Sequence, residues 1–211
     1  MSTKIGLISD VHATPAPVNE ALSIFKQAGV DMILCAGDIA GYGNEVEQTV
    51  ELLITSGCQS IYGNHEVWYL GHQNEGNKSE RVVAYFQSLP PVLDIEIEGK
   101  RLYMVHASPP RSYMDGIKLL DETGEILPKQ LTTWTGYLAE LEYDVLVVGH
   151  THQVFAEQLG DTFLINPGST KFNHTCVIID LPEMTCKWFS LSNETPVKSW
   201  NWGMQYQQSQ D

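Results

Sequence analysis

At 211 residues the chain has the length of one large domain, enough to bury roughly 70% of its unfolded surface in a single core without a disulfide or metal staple. Hydrophobic residues make up 43% and charged residues 18%, which excludes a disordered, collagenous or fibrous chain. Twelve Lys and Arg against twenty-six Asp and Glu give a formal charge of −14, so long nucleic acid and anionic membranes are not expected as partners.

The apolar run from Lys4 to Ser9 predicts a first strand. Val18, Ala21, Leu22 and Phe25 then recur at helical spacing between Pro17 and Gly29, and predict a helix. Met32 to Ala36 reads as a second strand, Val46, Val50, Leu53 and Ile54 as a helix ending at Gly57, and Cys58 to Tyr62 as a third strand. Val82, Tyr85, Phe86 and Leu89 mark a helix that Pro90 and Pro91 stop. Strands joined by such crossover helices should pair in parallel.

The pattern then changes. Leu93, Ile95 and Ile97 alternate with acidic residues and lead through a Gly99-Lys100 turn into Arg101 to Val105, an antiparallel hairpin with one wet face. Leu131, Trp134, Leu138 and Leu141 predict a helix behind Pro128, followed by the wholly apolar strand Val145 to Val148. Short runs near 153–158, 162–166, 175–180 and 185–191 read as strands with no helices between them, with Gly160-Asp161 as a turn. A βαβ half followed by a β-rich half implies two sheets packed face to face with helices on the outer faces. The domain is expected over 1–191. A polar, Gln-rich tail over 192–211 is expected to be partly disordered, with Trp200 and Trp202 as anchors.

Met1 to Val11 carries one Lys and an apolar run only from Ile5 to Ile8, too short for a signal peptide, and no stretch approaches the roughly 18 apolar residues of a spanning helix. Cys35, Cys58, Cys176 and Cys186 show no CxxC spacing and sit mostly in apolar runs, the pattern of buried, reduced thiols. A soluble cytoplasmic protein is expected.

The residues at the carboxyl end of each strand carry the chemistry. The first strand ends at Asp10 and His12, the second at Gly37-Asp38, the third at Gly63-Asn64-His65-Glu66, the strand after the hairpin at His106, and the last of the buried strands at Gly149-His150-Thr151-His152. Singly, each has an ordinary reading: Asp10 could cap a turn, the Gly-Asp and Gly-Asn pairs are common in turns, and His106 alone fits a hydrogen-bonded core histidine. Together they place five of the seven histidines at strand ends, with His72 and His174 left as solvated or turn residues. In an open α/β sheet those ends share one edge, where ligands bind. Carboxylates gathered there need compensation, and hardly any Lys or Arg is near; divalent cations supply it. A mixed His, carboxylate and amide set suits Mn, Fe, Zn or Ni better than an all-oxygen site for Mg or Ca.

These five motifs, in this order, resemble the calcineurin-like metallophosphoesterase superfamily, and most nearly its small single-domain bacterial and archaeal phosphodiesterases. The resemblance reaches to about Asp180. It implies a four-layer α/β/β/α sandwich with two divalent ions, Mn first and Fe, Zn, Ni or Mg as alternatives. Asp10, His12 and His152 would hold one ion, Asn64, His106 and His150 the other, and Asp38 would bridge them. A hydroxide between the ions would attack phosphorus, with Asn64 steadying the phosphoryl charge and His65, not a ligand, acting as acid or transition-state stabiliser. Asp10 would also orient His65. Glu66 stands where Asp is frequent and Ala107 where Gly is frequent, and neither is a ligand. Asn166-Pro167-Gly168-Ser169 resembles a loop near the family's site, and Tyr42, Trp68 and Arg111 are loop residues within reach of a substrate.

The expected function is therefore hydrolysis of a small phosphate ester, diester or monoester, of nucleotide-like size. A catalytically inactive protein-binding scaffold of the same fold is the alternative, since some relatives keep the fold and lose the chemistry. A metallohydrolase of a non-phosphate bond would not need the Asn64-His65 pair. Oligomeric state is not readable from the sequence.

Overall fold

A computed structural model describes residues 2–71 and 78–201. His72 and Trp202 lie outside the described residues, as does the last part of the polar tail. Strands β1 (Thr3–Ile8), β2 (Met32–Cys35) and β3 (Gln59–Ser60) alternate with helices α1 (Pro15–Ala28) and α2 (Val46–Thr55). Then come α3 (Asn64–Gly71), α4 (Glu80–Ser88), the hairpin β4 (Val92–Ile97) and β5 (Lys100–Val105), α5 (Pro128–Leu138) and β6 (Val145–Val147). The chain closes with β7 (Val154–Leu159), β8 (Thr162–Pro167), β9 (Thr175–Leu181) and β10 (Thr185–Ser190), without an intervening helix.

Two five-stranded sheets result, ordered β10-β9-β1-β2-β3 and β4-β5-β6-β8-β7. The crossover connections give parallel pairs β1·β2, β2·β3, β5·β6 and β6·β8, and the hairpins give antiparallel ones. Strand alternation divides the apolar residues into three layers. Ile5, Leu7, Leu34, Leu102, Met104, Val145, Val147 and Val177 point between the sheets. Ile8, Cys35 and Ile178 point the other way, against Val18, Phe25, Leu53 and Phe86 of α1, α2 and α4. Tyr103, Val105, Leu146 and Leu164 meet Leu138 of α5 on the far face. Helices, sheet, sheet and helix are thus stacked in four layers, each held by burial worth roughly 25 cal/mol per Å² of apolar surface. Gly6 belongs to this packing: a Cβ there would lie 2.6 Å from the Phe25 ring.

Two local expectations need correction. The hairpin turn is Glu98-Gly99 and not Gly99-Lys100, because Ile97 pairs with Lys100 and both turn residues have positive φ, 51° and 73°, as a type I′ turn requires. Trp68 is not in a loop; it lies on α3, which begins inside the Asn64-His65-Glu66 motif. His174, of the two alternatives expected for it, takes the turn: it is partly buried and left-handed (φ 57°) at the end of the turn over 170–173.

The polar segment after β10 runs back along the second sheet as far as Asn201. Val154 N–H donates to Lys198 O at 2.8 Å, Trp200 N–H to His152 O at 3.0 Å, and Asn173 Nδ2 to Val197 O at 2.6 Å. The four cysteines are free. Among the described residues no helix is long and apolar enough to cross a membrane.

Candidate metal centre

The loops leaving the strand ends are laced to one another. Asp10 N–H donates to Gly37 O and His12 N–H to Asp38 O, both at 3.0 Å, which joins the loops after β1 and β2. Gly149 N–H donates to His106 O at 2.8 Å and joins those after β5 and β6. The end of β8 and the loop after it tie the two sheets: Asn166 Nδ2 donates to Gly149 O at 3.0 Å and Ser169 Oγ to Asp10 O at 2.5 Å. Asp10, His12, Asp38, His150 and His152 all take the left-handed conformation, with φ between 50° and 65°. Asp, Asn and His tolerate it best among residues with a side chain, so each side chain swings out of its strand toward the shared edge. Gly63 and Gly149 permit the approach, since a Cβ on either would collide with Asp38 Oδ1 or Ser9 Oγ.

The seven residues expected as ligands all converge. Asp10, His12 and His106 are fully buried, and Asp38 and Asn64 nearly so. Asp10, His12 and His152 form one group, and Asp38, His106 and His150 another, with donor atoms within 4.8 Å of each other in each. A third such group, His12, Asp38 and His65, overlaps the first at His12 and the second at Asp38. Asn64 Oδ1 lies 2.9 Å from His150 Nδ1 and 3.2 Å from His106 Nε2, and so joins the second group.

The direction of the lone pairs shows what the cluster fits. His106 Nδ1 is 2.7 Å from Ala36 O; a carbonyl only accepts, so that nitrogen carries the proton. Its Nε2 then faces Asn64 Oδ1 and, at 3.3 Å, Asp38 Oδ1. His12 repeats the arrangement, with Nδ1 3.2 Å from Ala40 O and Nε2 turned on His152 Nε2 at 3.1 Å and Asp10 Oδ1 at 3.9 Å. Acceptors converging on acceptors call for a proton or a cation at the centre. Histidines anchored through one ring nitrogen to a carbonyl are the usual preparation for a metal.

Electrostatics agrees. Burial alone would raise the Asp10 and Asp38 carboxyls, but His152 beside the first and His106 beside the second hold both below the usual carboxylate range. Burial pushes His12 down to about 3 against the pull of Asp10 and Asp38, and also lowers His65 and His150. His106 goes the other way, up to about 9, because the contact with Asp38 outweighs burial. Most of the imidazoles are thus neutral at pH 7, with lone pairs available for coordination.

Sequence reading missed the groups that hold these side chains in place. Glu66, fully buried, accepts hydrogen bonds from the backbone N–H groups of Asp38 (3.0 Å), Ala40 (2.7 Å) and Gly63 (2.7 Å) and fixes both glycine loops. Ser9 Oγ donates to Asp10 Oδ2 at 2.6 Å, and His150 N–H to the same oxygen at 3.0 Å. Glu66 adjoins the motif, so its place was visible even though its role was not. Above the donors opens a cavity of about 540 Å³, lined also by Tyr42, Trp68, Met114, Lys118 and Trp200. Of the three loop residues expected near substrate, Tyr42 and Trp68 line it and Arg111 does not.

The calcineurin-like phosphoesterase superfamily domain matches residues 3–183. The chain belongs to this superfamily. A probable metallophosphoesterase of Methanothermobacter thermautotrophicus is 30% identical over 167 residues, 78% of this chain and 76% of that one. The phosphodiesterase YfcE of Escherichia coli K12 is 24% identical, over 79% of this chain and 78% of its own. Among solved structures, a metallophosphoesterase from Sphaerobacter thermophilus superposes with a TM-score of 0.68 at 21% identity, covering 92% of this chain and 89% of that one. The four-layer phosphoesterase fold is shared across the whole motif-bearing region.

Proposed function

We propose that the protein is a metal-dependent phosphoesterase with a binuclear centre, acting on a small phosphate ester, diester or monoester. The observation that carries this reading is the pair of donor groups linked by the neighbouring His12 and Asp38, with His12 and His106 anchored to carbonyls and their other ring nitrogens aimed at carboxylates. Asp10, His12 and His152 would hold one cation, Asn64, His106 and His150 the second, and Asp38 both. Manganese suits this mixed set, and Fe, Zn, Ni or Mg are the alternatives. Two divalent cations, when bound, supply positive charge against the phosphoryl oxygens and lower the pKa of water enough for it to act as nucleophile at neutral pH.

The rest falls to the chain. Asn64, a neutral amide, steadies the phosphoryl group without adding negative charge. His65, next to Asp38 and on the cavity wall, donates a ring N–H toward the departing oxygen and stabilises the charge that develops there. Glu66 keeps Asp38 and Asn64 in register. The free thiols, Cys35 and Cys176 of them buried, and the acidic composition fit a cytoplasmic protein working on small solutes.

The test is hydrolysis of a chromogenic monoester and diester with and without added manganese, beside Asp38→Asn, with bound metal counted by mass spectrometry. We expect manganese-dependent turnover of at least one ester, close to two ions per chain, and loss of both in the variant. Stoichiometric metal with no turnover of either ester would point to a scaffold, and no bound metal would overturn the centre itself.

A further inference from the structure

The cavity over the donors is walled by rings. On one side Tyr42 and His65 lie 4.6 Å apart and His65 and Trp68 4.9 Å, all edge to face. This wall ends in Tyr42 and Trp68, 49% and 45% exposed. On the other side Trp200 is stacked on Phe172 at 4.1 Å and 19°, and Phe172 on His152 at 5.3 Å. The walls meet over His12, 4.6 Å from Tyr42 and 5.1 Å from His152. A cavity of about 540 Å³ has room for a drug-sized ligand.

Charge narrows the class of ligand. Among the described residues the only Lys or Arg in the lining is Lys118, with Asp115 also present. A polyphosphate chain would find one cationic side chain beyond the metal centre; a neutral planar group would find aromatic faces and edges. Trp200 has a further distinction. The family match ends at residue 183, so the outermost ring of this wall comes from the segment beyond it, pinned through Lys198 O, Val197 O and Trp200 N–H.

Resting on the phosphoesterase reading, we propose that the site selects phosphate esters whose alcohol carries a flat ring of nucleobase size, seated between Trp68 and Trp200, and that Trp200 is a specificity residue added by this chain's C-terminal segment. Stacking of a base on an aromatic side chain corresponds to about tenfold in affinity.

The experiment compares calorimetric dissociation constants of thymidine 5′-phosphate and methyl phosphate, which share a phosphate monoester, on the manganese-loaded full chain. We expect thymidine 5′-phosphate to bind about tenfold more tightly. Trp200→Ala and, independently, Trp68→Ala should bring the ratio below about three, while Trp200→Phe should keep most of it. Circular dichroism checks that each variant is folded, and Trp68, itself an exposed side chain, covers the case in which loss of Trp200 disturbs Phe172. Equal affinities in the natural chain, or a ratio untouched by both alanine variants, would overturn the proposal. An intact ratio in a protein that hydrolyses neither chromogenic ester would sink the catalytic reading and leave the ring site standing.

Discussion

On the proposed reading, His65 is the residue on which binding and chemistry separate. Its backbone N–H donates to Asp38 Oδ1 at 3.0 Å while its ring, 3.9 Å from Asp38 Oδ2, faces the cavity. Replacing it removes a donor at the reacting centre and leaves Asp10, Asp38, Asn64 and the other four site histidines in place. His65→Ala is expected to lower kcat by about 10²- to 10³-fold with the metal count per chain unchanged. A loss of metal parallel to the loss of rate would make His65 a ligand, as its place in the His12, Asp38 and His65 group allows.

At the scale of the element, α3 is where sequence and structure part. Its eight residues, Asn64–Gly71, bury Asn64 and Glu66, expose Trp68 and set Tyr69 and Leu70 against the core, too short an apolar stretch for hydrophobic spacing to give a sign of it. A polar anchor places it instead. Glu66→Ala would orphan three buried N–H groups, and at 1–3 kcal/mol for each unpaired donor the cost is about 3 kcal/mol or more. That corresponds to a fall in Tm of roughly 6–12 °C for a chain of this size, measurable by calorimetry. Glu66→Gln, which keeps an acceptor oxygen, should lose less than half as much. The crossovers β1-α1-β2 and β2-α2-β3 and the antiparallel β4-β5 pair were legible because burial imposes a period of 3.6 or 2 on the apolar residues. The turn at Glu98-Gly99 was misplaced by one residue because alternation sets which face a residue takes but not where the chain reverses. The donors at the strand ends were legible for a topological reason: parallel strands of one sheet deliver their carboxyl ends to one edge. The anchoring roles of Ser169 and Glu66 were not, since a hydroxyl or carboxylate that bonds the backbone of another loop leaves no local pattern.

For the whole molecule, charge and metal act together. Two divalent ions would bring the formal charge from −14 to −10 and make the cavity floor locally cationic, which is how an acidic protein can receive an anionic ester. Because such ions bind the folded chain and not the unfolded one, they add stability by mass action, about 2.7 kcal/mol at a hundred times Kd. Chelation should therefore lower Tm by roughly 5–10 °C, and manganese should restore it; an unchanged Tm would mean that the cluster is stable without cations. The two sheets contribute unequally but jointly to the centre: Asp10, His12, Asp38 and Asn64 come after strands of the first, and His106, His150 and His152 after strands of the second. Neither half owns a complete set of holders. The cations would then sit astride the seam like a clasp, and sliding the halves apart and emptying the clasp become a single event.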